Sequence, residues 1–308
     1  VLTAETVSLR RAAFRALKSL PGPRALVLFD FGYGTGRVTN EFALDFPRCF
    51  GDFGRDLHVV AYDVSAVGLD KAARKFIKEY DFDELDPLSF DMTAEAGYVA
   101  GSVRRIFDSA TVTVTFVHGS EGDDSGFVGG LVRSVNGGGT VSMTTSWYSA
   151  LAHIPGQSRR AAFFEMLAAV TDPGGELMVA PSVLGDLVDL QKQWRERRLE
   201  DDVAGLPIEV GGDVIYETEL AQSNFWHVFG PDLWQLLQEN ANLGQTAWLE
   251  AIRLPDEEFR SRAEEQANFR RTRAFNRRIG RRPWREDDFR EVHTAVAIRS
   301  GSPDAAVS

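Results

Sequence analysis

The stretch Asp30-Phe31-Gly32-Tyr33-Gly34-Thr35-Gly36-Arg37 carries the clearest chemical signal in the chain. Glycines at alternate positions let the backbone adopt positive φ and approach a ligand closely, and a helix starting just beyond them offers free N–H groups. This is the chemistry of a nucleotide-type cofactor cradle. The spacing departs from the dinucleotide fingerprint G-x-G-x-x-G, and the Lys-Ser/Thr pair of a phosphate-binding loop is missing. Asp30, immediately ahead of the loop, serves a diphosphate poorly and favours a cofactor without phosphates, one with a positive amino group. Asp63 adds a second carboxylate at the end of another apolar run, where it can accept both hydroxyls of a ribose.

These residues need elements that hold them. Ala25 to Phe29 and His58 to Asp63 are short, continuously apolar runs of the kind that form strands buried on both faces. Residues 5–20 and 66–80 have apolar residues at helical spacing, the first stopped by Pro21-Gly22-Pro23 and the second capped by Ser65. Arg37 to Phe46 continues as a helix. Farther on, Val103 to Phe107 reads as helical and Thr111 to His118 as a strand. A short helix is expected at Gly126 to Ser134, a strand at Thr140 to Thr145, a helix at 158–170, and a turn at Asp172 to Gly175 before a strand at Glu176 to Ala180. Strands and helices alternate from 25 to 180, which predicts a mainly parallel sheet covered by helices on both faces. Beyond 183 the pattern expects a charged helix at Val188 to Glu200, a β segment at Val214 to Tyr216, a helix at Asp232 to Glu239 and a strand at Gln245 to Ile252. It continues with charged helical sequence over 256–280 and a final edge strand or hairpin arm at Glu291 to Ile298.

At Val27-Leu28-Phe29-Asp30-Phe31-Gly32-Tyr33-Gly34-Thr35-Gly36 the chain resembles the first motif, hh-[DE]-h-G-x-G-x-G, of the class I S-adenosylmethionine-dependent methyltransferases. Thr171-Asp172-Pro173-Gly174-Gly175-Glu176-Leu177 is similar to that family's L-k-P-G-G-x-L before its fifth strand. The resemblance covers about residues 20–182, and 232–300 more loosely. It implies a Rossmann-like, mostly parallel seven-stranded sheet with an antiparallel last strand, and S-adenosyl-L-methionine as cofactor. It further implies that Asp30 lies near the methionine part, that Gly32, Tyr33, Gly34 and Gly36 belong to the cofactor site, that Asp63 binds the ribose, and that Val64 and Glu121 lie beside the adenine. Trp147 to Ile154 resembles the segment that lines cofactor and substrate. Tyr33 departs from the pattern, standing where Cys, Ser or Thr is common, and 80–124 is longer than the minimal fold.

Methyl transfer from a sulfonium asks the protein for alignment, electrostatic complementarity and exclusion of water. A hydroxyl or protonated amine acceptor must also lose a proton, so a base near the mouth is expected. His153 is the first candidate, with a loop-tethering histidine as the alternative role; His227 and Tyr148 follow. Trp147, Tyr148, Phe225 and Trp226 are candidate substrate-facing residues, though an aromatic cluster also serves as a lid's own core. The histidines lack metal-ligand spacing and Cys49 is the single cysteine, so neither a metal site nor a disulfide framework is expected. Arg270, Arg271, Arg273, Arg277, Arg278, Arg281, Arg282 and Arg285 form a basic run, read as a solvated helix pairing with Asp256, Glu257, Glu258, Glu264 and Glu265, or as an anion-binding patch.

Composition bounds these readings. With 44% apolar and 26% charged residues the chain is that of a globular protein. A net charge of -11 disfavours a general polyanion binder. No apolar run reaches the length of a membrane span, and the cytoplasm is the expected compartment. The expected organisation is an N-terminal helix (1–20), a cofactor-binding core (21–182), a lid or substrate insertion (183–231), and a C-terminal part of the core (232–308) with a charged helical insertion at 253–290. The expected activity is O- or N-methylation of a small organic metabolite, which is the expected partner, with a homodimer left open. The alternatives are an NAD-linked oxidoreductase and a nucleic-acid-binding or -modifying protein using the 270–285 arginine segment.

Overall fold

The computed structural model describes residues 4–19, 24–91, 93–120, 122–148, 150–181, 183, 213–217, 223–240, 245–255 and 261–302. Helix α1 (Ala4–Ser19) precedes β1 (Leu26–Phe31), α2 (Arg37–Phe50), β2 (Leu57–Asp63) and α3 (Ala66–Tyr80). Then come β3 (Asp83–Asp86), β4 (Tyr98–Ile106), β5 (Thr111–His118), α4 (Ser125–Val135), β6 (Val141–Ser146), α5 (Gln157–Val170) and β7 (Thr171–Val179). The chain continues through β8 (Asp213–Glu217), β9 (Ser223–His227), α6 (Pro231–Glu239), β10 (Thr246–Arg253), α7 (Arg262–Ile279), α8 (Glu286–Arg290) and β11 (Thr294–Ser300).

One nine-stranded sheet has the order β10-β11-β7-β6-β1-β2-β5-β4-β3, and β8 and β9 form a separate antiparallel pair. The five central strands, β7, β6, β1, β2 and β5, run parallel. Side chains alternate between two cores, as strand geometry requires. Leu26 and Leu28 face α1, α2 and α3, whereas Phe29 and Phe31 face α4 and α5. The chain therefore has the expected α/β class: a mostly parallel sheet between helical layers, with its last strand antiparallel to its neighbours.

Four expectations need correction. The sheet has nine strands rather than seven, because the long 80–124 stretch adds the antiparallel strands β3 and β4 beside β5. Val103 to Phe107, read as helical, belongs mainly to β4; a five-residue apolar and basic run has no period long enough to separate the two states. β11 is interior, paired with β7 on one side and β10 on the other, so it is not an edge. The turn expected at 172–175 is taken into β7, with a register irregularity opposite Val141 and Met143. The helix expected at 188–200, the Pro21-Gly22-Pro23 stop, and most of the 183–231 insertion lie outside the described residues.

Both sheet edges are protected. At β10, the Asn276 amide of α7 donates to the Ala251 carbonyl at 2.9 Å and accepts from the Ala251 N–H at 2.8 Å, taking the place of another strand. At the other edge β3 is exposed and acidic, which discourages pairing with a further strand. Helix α1 is fastened by charge: Arg15 donates two hydrogen bonds, 2.7 and 3.1 Å, to Glu176 of β7, and Ser300 of β11 donates to the same carboxylate. Glu176 has no exposed surface, so losing one partner would strand a buried charge. Among the described residues no helix is long and apolar enough to cross a membrane.

Candidate functional site

The sheet order reverses beside β1, with β2 and β5 to one side and β6 and β7 to the other. In open parallel sheets such a reversal leaves a crevice at the carboxyl ends of the strands. The loop Gly32 to Gly36 lies there, between β1 and α2.

All three loop glycines have left-handed φ: +76° at Gly32, +55° at Gly34 and +69° at Gly36. Their surroundings differ. A Cβ on Gly32 would overlap Ala150, and one on Gly36 would overlap Tyr33 and Asn40, whereas one on Gly34 would meet only open space. The first and last glycines thus allow close packing, and the middle one faces the crevice. The N–H groups of Gly32 and Tyr33 both donate to the Tyr62 carbonyl at 2.9 Å, tying the loop to the end of β2.

Asp63 completes that tie. Its carboxylate accepts from Gly34 N–H at 2.6 Å and from Ser65 N–H at 2.7 Å. Each oxygen keeps a second lone pair available for a ligand hydroxyl. Burial raises the Asp63 pKa, opposed by those two hydrogen bonds. Val64 beside it is half-exposed, and its carbonyl lies 3.2 Å from His118 Nε2. Nδ1 of His118 is buried with no partner among the described residues. Glu121 lies outside the described residues. Asp123, which the sequence gave no reason to single out, accepts from Ser120 N–H at 2.8 Å and so shapes the turn after β5.

Asp30 is 2% exposed, beneath the loop, and accepts hydrogen bonds from Thr39 of α2 and, at 2.9 Å, from Thr145 of β6. Burial pushes its pKa up to about 7, against the pull of the two threonine hydroxyls, while the Asp63 carboxylate adds to the rise. Tyr33 points away from the crevice: its ring packs edge-on against Phe116 in the core and its hydroxyl donates to Asn40. Only its backbone belongs to the loop. Trp147 is also buried, with its indole N–H unpartnered among the described residues.

Tyr148 stands in the open. It is one of two described non-glycine residues with positive φ, at +49°, and 48% of it is exposed. The Arg37 guanidinium lies 4.3 Å from its ring centroid and donates to its hydroxyl, and Glu5 of α1 lies 3.4 Å from that hydroxyl. Glu5, Arg37 and Tyr148 thereby bridge α1, the first residue of α2 and the segment after β6.

His153 ends the 3-10 turn Ala150–His153, whose first residue abuts Gly32. Its ring stacks on Trp226 of β9 with centroids 5.7 Å apart, so the structure brings these two candidates together. His227, next along β9, is buried; its Nε2 lies 2.8 Å from Asp232 and its ring meets Phe229 edge-on at 4.5 Å. Burial works against the charged form of Asp232, yet hydrogen bonds from His227 and the Gly230 N–H hold its pKa below the usual carboxylate range. Phe225 occupies β9 opposite Ile215 of β8. Among the described residues no cluster of three or more His, Cys, Asp or Glu side chains is placed to hold a metal ion.

The arrangement fits a nucleoside carrying a cationic amino-acid tail: a glycine open to the crevice, a strand-end carboxylate with spare lone pairs, and a buried acid beneath. No family model matches the chain, and no curated protein matches it. Among solved structures it is similar to the CcbJ methyltransferase from Streptomyces caelestis, at 14% identity over 97% of this chain and 90% of that one, with a TM-score of 0.44. A putative S-adenosylmethionine-dependent methyltransferase from Listeria monocytogenes matches at 12% identity over 94% and 95% of the two chains, TM-score 0.44. A SAM-dependent methyltransferase from Methanosarcina mazei matches at 12% identity over 89% and 91%, TM-score 0.44.

Proposed function

We propose that the chain is an S-adenosylmethionine-dependent methyltransferase acting on a small organic metabolite by O- or N-methylation. The observation that carries the reading is the union of Gly34, whose open side faces the crevice, with Asp63, which fixes the loop and retains acceptor capacity. Asp63 takes the ribose hydroxyls, Val64 flanks the adenine, and the backbone of Gly32 to Gly36 lies along the methionine part. The bound cofactor supplies an activated methyl group, so the protein's task is alignment and proton removal.

His153 is the proposed base, because it is held against Trp226 beside the turn that touches the glycine loop. His227 is the weaker choice, since Asp232 already engages its Nε2. Trp226, Phe225, Tyr148 and Trp147 are the proposed acceptor-side residues. Trp147 supports the site from within the core rather than by an exposed face. The segment 183–231 is the proposed cover, with β8 and β9 as its described part. Calorimetric titration with S-adenosylmethionine, S-adenosylhomocysteine and NAD tests the assignment. Binding of the first two and not the third is expected; binding of NAD alone would establish the oxidoreductase instead.

A further inference from the structure

Helix α7 buries one face and places arginines on the other. Asn268, Thr272, Phe275 and Ile279 are buried, at the spacing of one helical stripe. With 3.6 residues per turn, Arg262, Gln266, Phe269, Arg270, Arg273 and Arg277 fall within an arc of about 100° on the far side. All six are exposed. Phe269 remains 38% exposed, with the Arg273 guanidinium 5.9 Å from its ring centroid. Other members of the basic run find carboxylates: Arg278 pairs with Glu291 at 2.7 Å and Arg282 with Asp288 at 2.8 Å. Among the described residues Arg262, Arg270, Arg273 and Arg277 form no ion pair.

This stripe costs the helix stability. Like charges three or four residues apart destabilise by about 0.2–0.5 kcal/mol per pair. Among the described residues no core side chain packs on the stripe to offset the repulsion. The chain's net charge of -11 does not cancel it locally, since exposed charges are screened beyond about 10 Å at 0.1 M salt. Every cation in the stripe is arginine, whose planar fork matches phosphate oxygens. An exposed aromatic ring among them offers a stacking face that an acidic polypeptide does not need, whereas an unpaired base does.

We propose that the outer face of α7 is a docking surface for single-stranded nucleic acid, with Arg262, Arg270, Arg273 and Arg277 on the backbone phosphates and Phe269 stacked on a base. The surface stands apart from the glycine loop, so the proposal is independent of methyl transfer. Its test is fluorescence anisotropy with a labelled 20-nucleotide single-stranded RNA, a duplex of the same length and polyglutamate, at 50 and 200 mM salt. The single strand should bind best, with a log–log salt slope of roughly -2 to -3 for three or four phosphates. The combined variant Arg270→Glu, Arg273→Glu, Arg277→Glu should lose at least tenfold in affinity while keeping its melting temperature. Phe269→Ala should lose about fivefold or more on the single strand and nothing on polyglutamate. Absent binding at 50 mM salt, or a charge-reversal variant that binds as well as the parent, overturns the proposal. Preference for polyglutamate with Phe269→Ala silent replaces it by an acidic-polypeptide surface.

Discussion

The backbone N–H of Gly34 donates to the Asp63 carboxylate at 2.6 Å, so the glycine loop and the end of β2 behave as one unit. Asp63→Ala therefore removes both the proposed ribose contact and the fixation of the loop that makes the rest of the site. Affinity for S-adenosylmethionine should fall at least tenfold by titration calorimetry. Unchanged affinity would remove Asp63 from the ribose role.

Gly34→Ala and Gly32→Ala should separate binding from folding. Both force a side chain into left-handed φ, at about 1–2 kcal/mol. At Gly32 the new Cβ also overlaps Ala150, so the melting temperature should drop further. At Gly34 it projects into open space, leaving the fold near intact while blocking the crevice. A Gly34→Ala protein that binds S-adenosylmethionine normally would show that the ligand lies elsewhere.

The stability of the protein should decline as pH rises from about 4 to 7, in part through Asp30. Its pKa stands at about 7 when folded and 3.8 ordinarily, so in that window the native state keeps a proton the unfolded chain has lost. The contribution is on the order of 4 kcal/mol, fully lost above the folded value. Asp30→Asn should flatten urea-derived stability between pH 5 and 8 and be the more stable form at pH 8. A variant with the parent's slope would assign the decline to other buried acids such as Asp63 and Glu176, which burial also shifts upward.

For His153→Gln, once a screen with methyl-tritiated donor identifies an acceptor, kcat should fall at least tenfold with donor affinity nearly unchanged. The base role also predicts loss of an acidic limb from the pH–rate profile. Full activity would remove His153 from the base role.

Asn276→Ala should cost about 1–3 kcal/mol in unfolding free energy, because two backbone groups of Ala251 lose their partner. It should also raise self-association in sedimentation velocity by uncovering an edge strand. A variant that is monomeric and as stable as its parent would show that the amide is dispensable.

What the sequence revealed follows from the range of the forces involved. β1 and β2 were legible because strands buried on both faces need continuous apolar runs, and Gly32, Gly34 and Gly36 because left-handed φ favours one residue type. Tyr33 was legible only in part: its position in the loop is local, but the turn of its ring toward Phe116 is set by the core. Thr39 and Thr145, which hold Asp30, gave no signal, since each meets it only through tertiary folding. The pairing of His153 with Trp226 was unreadable for the same reason. The interior place of β11 was also hidden, because alternation along one strand does not report how many neighbours it has.

The carboxylate of Glu176 ties together two segments that are synthesised far apart in time. Arg15 precedes it by 161 residues and Ser300 follows it by 124. At ribosomal speeds of about 5–20 residues per second, the interval between Glu176 and Ser300 lasts roughly 6 to 25 s. Throughout it, Arg15 can hold the acid while β7 lacks the strand that will flank it. Helix α1 thus carries a charge partner for Glu176 that is synthesised well before the strand that supplies Ser300.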